Sequence, residues 1–261
     1  MTTSTRFAPG TFTPAPGLGS KRRMLFTQAR IETMLALRNG EQVLLTLFIP
    51  LVLLIGLTLV KFISMPTPRI DAVTPRVFAL AVMSSAFTGQ AIALGFDRRY
   101  GVLKRLAATA LPRWLLVAGR LSAAVAVVVV QIVVLGIVAA ILGWSPDWSG
   151  VGGAVALIAL GTLAFGALGV LLGGSLRAEI VLALANIIWF VLLLVGGAGL
   201  ASSSIPGVVR DALLVIPSGA LAEGLYSAIG QGGMPVWICA LILLGWGAVA
   251  GLVATRTTKL S

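Results

Sequence analysis

The sequence predicts an all-α integral membrane protein with six transmembrane helices, and three observations lead to this prediction. Of the 261 residues, 58% are hydrophobic and only 10% are charged, and the mean hydropathy is +1.05. These values lie outside the range of soluble domains. Six stretches are long and apolar enough to cross a hydrocarbon core of about 30 Å as helices, and each is apolar around its whole circumference.

The six predicted spans divide the chain into short loops and one longer N-terminal region. The spans cover residues 43–60, 77–96, 121–142, 151–172, 180–200 and 236–253. Residues 1–20 are rich in Thr, Pro and Gly and lack an apolar core, so we predict a disordered cytoplasmic tail there. Residues 21–261 are predicted to form a single six-span domain that begins with an amphipathic helix on the cytoplasmic surface.

The basic side chains are distributed unevenly between the two sides of the predicted bundle. Fifteen of the nineteen Lys and Arg residues fall on the side that contains both chain termini, whereas the eight acids divide evenly. The positive-inside rule therefore assigns both termini to the cytoplasm. The net charge of +11 indicates membrane topology rather than a nucleic-acid partner.

A charged segment, GFDRRYGVLKRLAATALPRW, follows the second predicted span at residues 95–114. Residues 97–108 can form about three helical turns before Pro112 interrupts the backbone. One side of this helix is predicted to carry Tyr100, Leu103 and Ala107, while Arg98 and Arg105 point away from it. The helix is too short to cross a bilayer, so we expect it to lie on the cytoplasmic surface. A topogenic loop whose arginines contact membrane lipid phosphates is the alternative interpretation.

This charged segment resembles the stretch after the second span in membrane subunits of type-2 ATP-binding-cassette (ABC) exporters. The matching residues are Tyr100, Gly101, Leu103, Leu106, Thr109, Leu111, Pro112 and Arg113. Ala110 departs from the family, which usually has Pro at this position, and the start of the segment is more basic than usual. The resemblance implies a coupling helix that docks into a separate cytosolic ATPase subunit. The expected docking residues are Arg98, Arg99, Tyr100, Gly101, Leu103, Lys104, Arg105, Leu106 and Ala107.

The resemblance extends beyond the coupling segment. Residues 30–55 are similar to the family's N-terminal interfacial helix and first span, and residues 205–229 are similar to its external helical segment before the last span. The short six-span form looks most like bacterial drug and antibiotic exporter permeases of the daunorubicin type. This implies a bacterial plasma membrane, a second identical or homologous permease subunit, and outward transport of a lipophilic or amphipathic substrate.

The sequence also limits the energy source and the possible chemistry. None of the four lysines follows a glycine, so the chain has no phosphate-binding loop, and ATP and Mg²⁺ would bind to the partner. Histidine is absent and the eight acids are expected at span ends or in loops. These features disfavour a proton-driven carrier, a Ser-His-Asp enzyme and histidine metal sites. No cofactor is predicted for this chain. The remaining alternative is a non-transporting membrane protein, either an assembly scaffold or a lipid-modifying enzyme.

A few polar side chains interrupt the apolar spans. A possible substrate path is predicted from Ser84, Ser85, Thr88, Gln90 and Asn186. Hydrogen bonds between helices are the alternative explanation for these side chains. Small residues recur four positions apart in two spans, where they are expected to permit close helix packing within the bundle, with a seam between two subunits as the alternative. These are Gly169, Gly173, Gly247 and Gly251.

Overall fold

The structure is a computed structural model that describes residues 20–60, 67–108, 113–197, 207–230 and 232–257. Within these ranges the regular backbone is helical. The eleven α-helices are α1 (Lys21–Arg38), α2 (Gly40–Leu59), α3 (Arg69–Val82), α4 (Gln90–Arg99), α5 (Val102–Ala107), α6 (Arg113–Ile141), α7 (Val151–Ser175), α8 (Ala178–Gly197), α9 (Gly207–Val215), α10 (Pro217–Ile229) and α11 (Val236–Thr257). A π-helical segment (Met83–Gly89) joins α3 to α4. The predicted disordered tail lies outside the described residues, apart from Ser20 at the N-terminus of α1.

The long helices coincide with the predicted spans, and the all-α membrane fold is confirmed. Five continuous helical stretches are long and apolar enough to cross a membrane. They are Arg69–Arg99, Trp114–Ile141, Trp148–Ser175, Ala178–Gly197 and Val236–Arg256. The first predicted span corresponds to α2, in which the apolar stretch Thr46–Leu59 is shorter. The total of six spans therefore stays a prediction.

The stretch formed by α3, the π-helical segment and α4 lies at the centre of the bundle. Its 31 residues correspond to about 46 Å of helix. In its most apolar 18-residue segment, 78% of the residues are buried, whereas in the corresponding segment of the last helix, α11, only 17% are buried. This stretch contacts α2, α6, α7, α8 and α10. It begins eight residues before the predicted span, so Arg76 lies inside a helix rather than in a loop.

The external segment predicted before the last span consists of two helices with different surroundings. Helix α9 is largely exposed, whereas α10 is buried among α3, α7, α8 and α11. Pro217 occupies the first turn of α10, where its missing N–H costs no hydrogen bond. The other bracketing residue, Pro206, lies outside the described residues.

The buried α10 carries an acid that the sequence analysis placed in a loop. The Glu223 carboxylate accepts a hydrogen bond from Arg76 of α3 at 2.6 Å, and both side chains are less than 10% exposed. The expectation that all acids lie at span ends or in loops is therefore wrong for Glu223. A buried acid is tolerated here because a guanidinium in the neighbouring helix neutralises it.

The small residues support close packing at three of the four predicted positions. A Cβ added to Gly169 would lie 2.7 Å from the Phe87 carbonyl oxygen, and one added to Gly173 would lie 2.5 Å from the Ala91 carbonyl oxygen. Gly247 lies against the backbone of Ala164 in α7. The prediction of packing within the bundle is wrong for Gly251, because among the described residues no atom of a neighbouring element lies within 4 Å of the equivalent Cβ position.

Candidate functional site

The charged segment forms a turn and a short helix at the basic end of the bundle. We define the basic end as the end that carries Arg98, Arg99, Arg120 and Arg177. Helix α4 ends at Arg99, and the chain reverses direction through Gly101, whose φ of +70° is a conformation that glycine adopts without strain. Helix α5 follows immediately. The glycine predicted from the resemblance is thus required by the backbone geometry.

Helix α5 is anchored to the bundle by Leu103. This side chain is only 4% exposed and packs in a small cluster with Leu94, Val170 and Ala254. Burial of a leucine side chain contributes about 1.5–3 kcal/mol. Leu103 therefore holds α5 against α4, α7 and α11.

The prediction that Tyr100 and Leu103 lie on one side of the same helix is wrong. Tyr100 is 65% exposed, but Leu103 is buried. The two side chains point differently because Tyr100 precedes the reversal at Gly101 and does not belong to the same helix as Leu103. Lys104 and Arg105 are exposed on α5. The side chains of Leu106 and Ala107 lie outside the described residues, as do residues 109–112.

Two arginines connect the end of α4 to the turn between α7 and α8. Arg98 donates hydrogen bonds from Nη1 to the carbonyl oxygens of Gly173 and Leu176, at 3.1 and 3.2 Å. These carbonyls lie at the C-terminal end of α7, where a cation is favoured by the helix dipole. Arg99 forms an exposed ion pair with Glu179 at the start of α8. Arg98 therefore has a structural role in positioning the coupling segment.

A cavity of about 350 Å³ lies between the coupling segment and the α7–α8 turn. Its wall carries four basic side chains and one acid, and it is exposed at the basic end. The lining residues are Gly95, Arg98, Arg99, Leu103, Lys104, Ser175, Leu176, Arg177, Ala178 and Glu179. The α7–α8 turn and the helix ends beside it, which the sequence did not single out, thus contribute half of the lining residues. Arg177 and Glu179, flanking the start of α8, were the only local signal for it.

The predicted substrate-path residues gather around the π-helical segment. Ser84, Ser85 and Thr88 lie within it, and Gln90 follows at the start of α4. The Ser84 hydroxyl donates to the carbonyl oxygen of Leu80, four residues earlier, at 2.9 Å. Short π-helical segments inside α-helices are frequent at functional sites.

The predicted substrate-path residues fall into two groups, each of which lines one of two adjoining cavities. The apolar cavity, of about 430 Å³, lies between α2, the π-helical segment, α4 and α8 and contains Ser84, Thr88 and Asn186. The polar cavity, of about 280 Å³, lies between α1, α2, α4 and α6 and contains Ser85 and Gln90. Both cavities share the lining residues Asn39, Thr46, Gly89 and Ala93.

Hydrogen bonds between helices account for part of this polar set. Ser85 donates to Gln131 of α6 at 2.7 Å, and Gln131 donates to Thr46 of α2 at 3.0 Å. The indole N–H of Trp189 donates to Ser84 at 3.0 Å. These bonds fix the walls of both cavities, and they agree with the alternative explanation for the serines.

Within the part of the chain that the structure describes, the remaining path residues form no side-chain hydrogen bonds to other helices. Asn186 donates within its own helix, to the Leu182 carbonyl oxygen. The Thr88 hydroxyl and the Gln90 amide oxygen are shielded from solvent and have no hydrogen-bond partner within the described residues. Unpaired polar atoms of this kind are costly unless a ligand or water satisfies them. They are therefore the polar positions at which a ligand would gain most.

Comparison with known proteins agrees with this arrangement. The family model described as ABC-2 type transporter matches residues 23–229, from α1 to the end of α10. The chain belongs to the ABC-2 type transporter family. No curated protein matches the chain significantly. The chain is thus a permease component of an ABC transporter, and ATP hydrolysis is not its own activity.

Proposed function

We propose that this permease is the membrane subunit of a bacterial ABC exporter that moves a lipophilic or amphipathic substrate outward across the plasma membrane. A separate cytosolic ATPase subunit binds ATP and Mg²⁺ and supplies the energy. A second permease subunit, identical or homologous, completes the membrane pathway. Both termini lie in the cytoplasm in this proposal, so the basic end faces the ATPase.

The observation that carries the proposal is the anchored coupling segment at the basic end. Leu103 and Arg98 attach it to three membrane helices, while Tyr100, Lys104 and Arg105 are exposed. An aromatic side chain next to basic groups is typical of protein interfaces. A force applied to these exposed residues would be transmitted to α4, α7 and α11 through the anchoring contacts.

The two adjoining cavities support the proposed substrate path. Both cavities are lined by the π-helical segment and α4. The same stretch of chain leads directly into the coupling segment at α5. Movement of the coupling segment would therefore alter the cavity walls directly. In this proposal Ser84, Thr88 and Asn186 offer hydrogen bonds to polar groups along the lipophilic part of the substrate.

Co-purification with the ATPase tests the docking assignment. The candidate ATPase is the product of a neighbouring reading frame that encodes a phosphate-binding loop. We expect the double variant Lys104→Glu/Arg105→Glu to lower ATPase recovery from detergent by about tenfold or more, because charge reversal at an interface costs several kcal/mol. The variant Tyr100→Asp should have a similar effect.

A matched control is available on α1. Arg22→Glu/Arg23→Glu reverses two exposed arginines outside the coupling segment and should leave ATPase recovery unchanged. Unchanged recovery with both coupling-segment variants would refute the docking assignment. ATP-dependent efflux from inverted vesicles, measured with the same variants, would test whether docking is needed for transport.

A further inference from the structure

The polar cavity contains an excess of negative charge, although it lies at the basic end of a strongly basic protein. Three ionisable side chains line it, namely Glu32 of α1, Asp97 of α4 and Arg120 of α6. Arg120 forms an ion pair with Asp97, and the Arg120 side chain is only 8% exposed. One guanidinium therefore faces two carboxylates.

Glu32 is the carboxylate of this cavity that forms no direct ion pair within the described residues, although the Arg120 charge acts on it. Its Oε1 accepts a hydrogen bond from the Gln28 amide at 2.9 Å, and within the described residues no Lys or Arg forms an ion pair with it. Burial raises the pKa of Glu32 above its ordinary value, and Asp97 raises it further, while Arg120 and Gln28 act in the opposite direction. A partly buried carboxylate in this position gains most from a cation that enters the cavity.

Glu32 is also held in place by close packing between α1 and α6. A Cβ added to Gly119 of α6 would lie 2.7 Å from the Gln28 side chain and 3.4 Å from the Glu32 side chain. The same cavity contains the unpaired amide oxygen of Gln90, which is a second acceptor in the wall opposite α1. The cavity thus offers hydrogen-bond acceptors from two different helices.

The adjoining apolar cavity differs from the polar cavity in having a largely apolar wall. Ile49, Ile92, Leu182 and Trp189 line it, and the structure describes no ionisable side chain in its wall. It adjoins the polar cavity at the four lining residues that both cavities share. A molecule with a charged head and a lipophilic body could therefore place each part in a matching environment.

From this juxtaposition we infer that the substrate is a lipophilic cation whose ammonium group binds at Glu32, with Gln90 as a second acceptor, while its apolar body occupies the cavity beside Trp189. This inference deepens the proposed transport function and rests on it. Lipophilic anions and neutral lipids are disfavoured, because the carboxylates would repel the former and would remain unpaired with the latter. Glu32 is the residue that determines this charge preference.

A pair of probes that differ only in charge tests the inference without the ATPase. The purified full-length permease in phosphatidylcholine nanodiscs is titrated with dansylcadaverine, a lipophilic amine, and with the corresponding dansyl alcohol. Binding is followed by fluorescence anisotropy, with empty nanodiscs as the reference for lipid partition. The wild type should bind the amine about tenfold more tightly, which corresponds to one charge-assisted hydrogen bond.

Three variants identify the source of the preference. Glu32→Gln should abolish the preference for the amine and leave binding of the alcohol unchanged, whereas Glu32→Asp should keep the preference. Asp211→Asn, which removes an exposed carboxylate from α9, is the matched control and should behave as the wild type. The thermal unfolding midpoint of each variant verifies that the fold is retained.

The possible results separate clearly. Equal affinities of the wild type for both probes, a lack of binding of either probe, or an equal effect of Glu32→Gln on both probes would overturn the inference. None of these results would affect ATPase co-purification with the coupling segment, so failure of this inference is distinguishable from failure of the proposed function.

Discussion

Removal of Glu223 should destabilise the permease far more than removal of Glu223 and Arg76 together. The Arg76 Nη2 lies 2.6 Å from Glu223 Oε1, and the two side chains are 7% and 9% exposed. Arg76 also donates from Nη1 to the Ala72 carbonyl oxygen at 2.7 Å and lies over the Tyr226 ring, 4.3 Å from its centroid. The pair therefore joins α3 to α10 in a site that water barely reaches.

The expected magnitude follows from what each substitution leaves behind. The variant Glu223→Leu leaves a buried guanidinium without its counter-charge, and breaking a buried pair in this way costs about 3–5 kcal/mol. The lower part of this range is expected here, because the Ala72 carbonyl and the Tyr226 ring still stabilise the cation. The double variant Arg76→Met/Glu223→Leu buries no charge and should fall within about 1 kcal/mol of the wild type.

Equilibrium unfolding in mixed micelles measures this difference. The purified permease is titrated with sodium dodecyl sulfate, and helicity is followed by circular dichroism for the wild type, both single variants and the double variant. The resulting double-mutant cycle gives the coupling energy of the pair. Asp211→Leu serves as a control, because Asp211 is exposed on α9 and its removal should change the free energy of unfolding by less than about 0.5 kcal/mol.

Two results would refute this reasoning. If Glu223→Leu unfolds at the wild-type detergent concentration, the carboxylate does not neutralise Arg76 in the folded protein. If the double variant is no more stable than Glu223→Leu, the cost arises from lost packing of α10 rather than from an unpaired charge.

Three further predictions concern packing, accessibility and pH. Gly173→Ala should destabilise the bundle by about 1–3 kcal/mol, because the new methyl group would overlap the Ala91 carbonyl oxygen. Gly251→Ala should be neutral or stabilising, because no described atom lies near the new methyl group. The same unfolding titration measures both variants. Cys239 is fully buried, so a maleimide should label it only after unfolding, as mass spectrometry would show. Since only ionised Glu32 attracts an ammonium group, the probe preference should be present at high pH and vanish as pH falls through the raised pKa of Glu32. In a titration from about pH 8 to 4, this loss should begin at a higher pH than the range in which an exposed Glu titrates. The other charged side chains that face Glu32 are Asp97 of α4 and Arg120 of α6.

The sequence was sufficient to locate the long helices because hydropathy is a local property. Each predicted span overlaps a helix of the structure, and the largest differences are at the starts of the second and third spans. The helices there begin eight residues earlier than predicted, at Arg69 rather than residue 77 and at Arg113 rather than residue 121. Hydropathy excluded Arg76 from the span because an isolated arginine is unfavourable in a membrane, and it could not detect that Glu223 neutralises this arginine from 147 positions away.

The candidate sites were predictable only in part, and Leu103 illustrates the reason. A helical wheel placed Tyr100 and Leu103 on one face, but the reversal at Gly101 separates them, and the wheel contains no information on such a turn. Four of the predicted substrate-path residues, Ser84, Ser85, Thr88 and Gln90, follow one another along the central stretch, and Asn186 lies on α8. Their division between two cavities depends on the positions of α1, α6 and α8, which no local pattern specifies.

The sequence by itself determined that this chain is a helical membrane protein with its positive charge on one side. These properties depend on the number and spacing of apolar and basic residues, because each long apolar stretch must satisfy its own backbone in a bilayer. The tertiary structure alone decided which polar groups meet. It paired Arg76 with Glu223, buried Leu103, and brought Glu32, Asp97 and Arg120 from three helices to one cavity, because such contacts depend on how the helices pack rather than on their sequence separation.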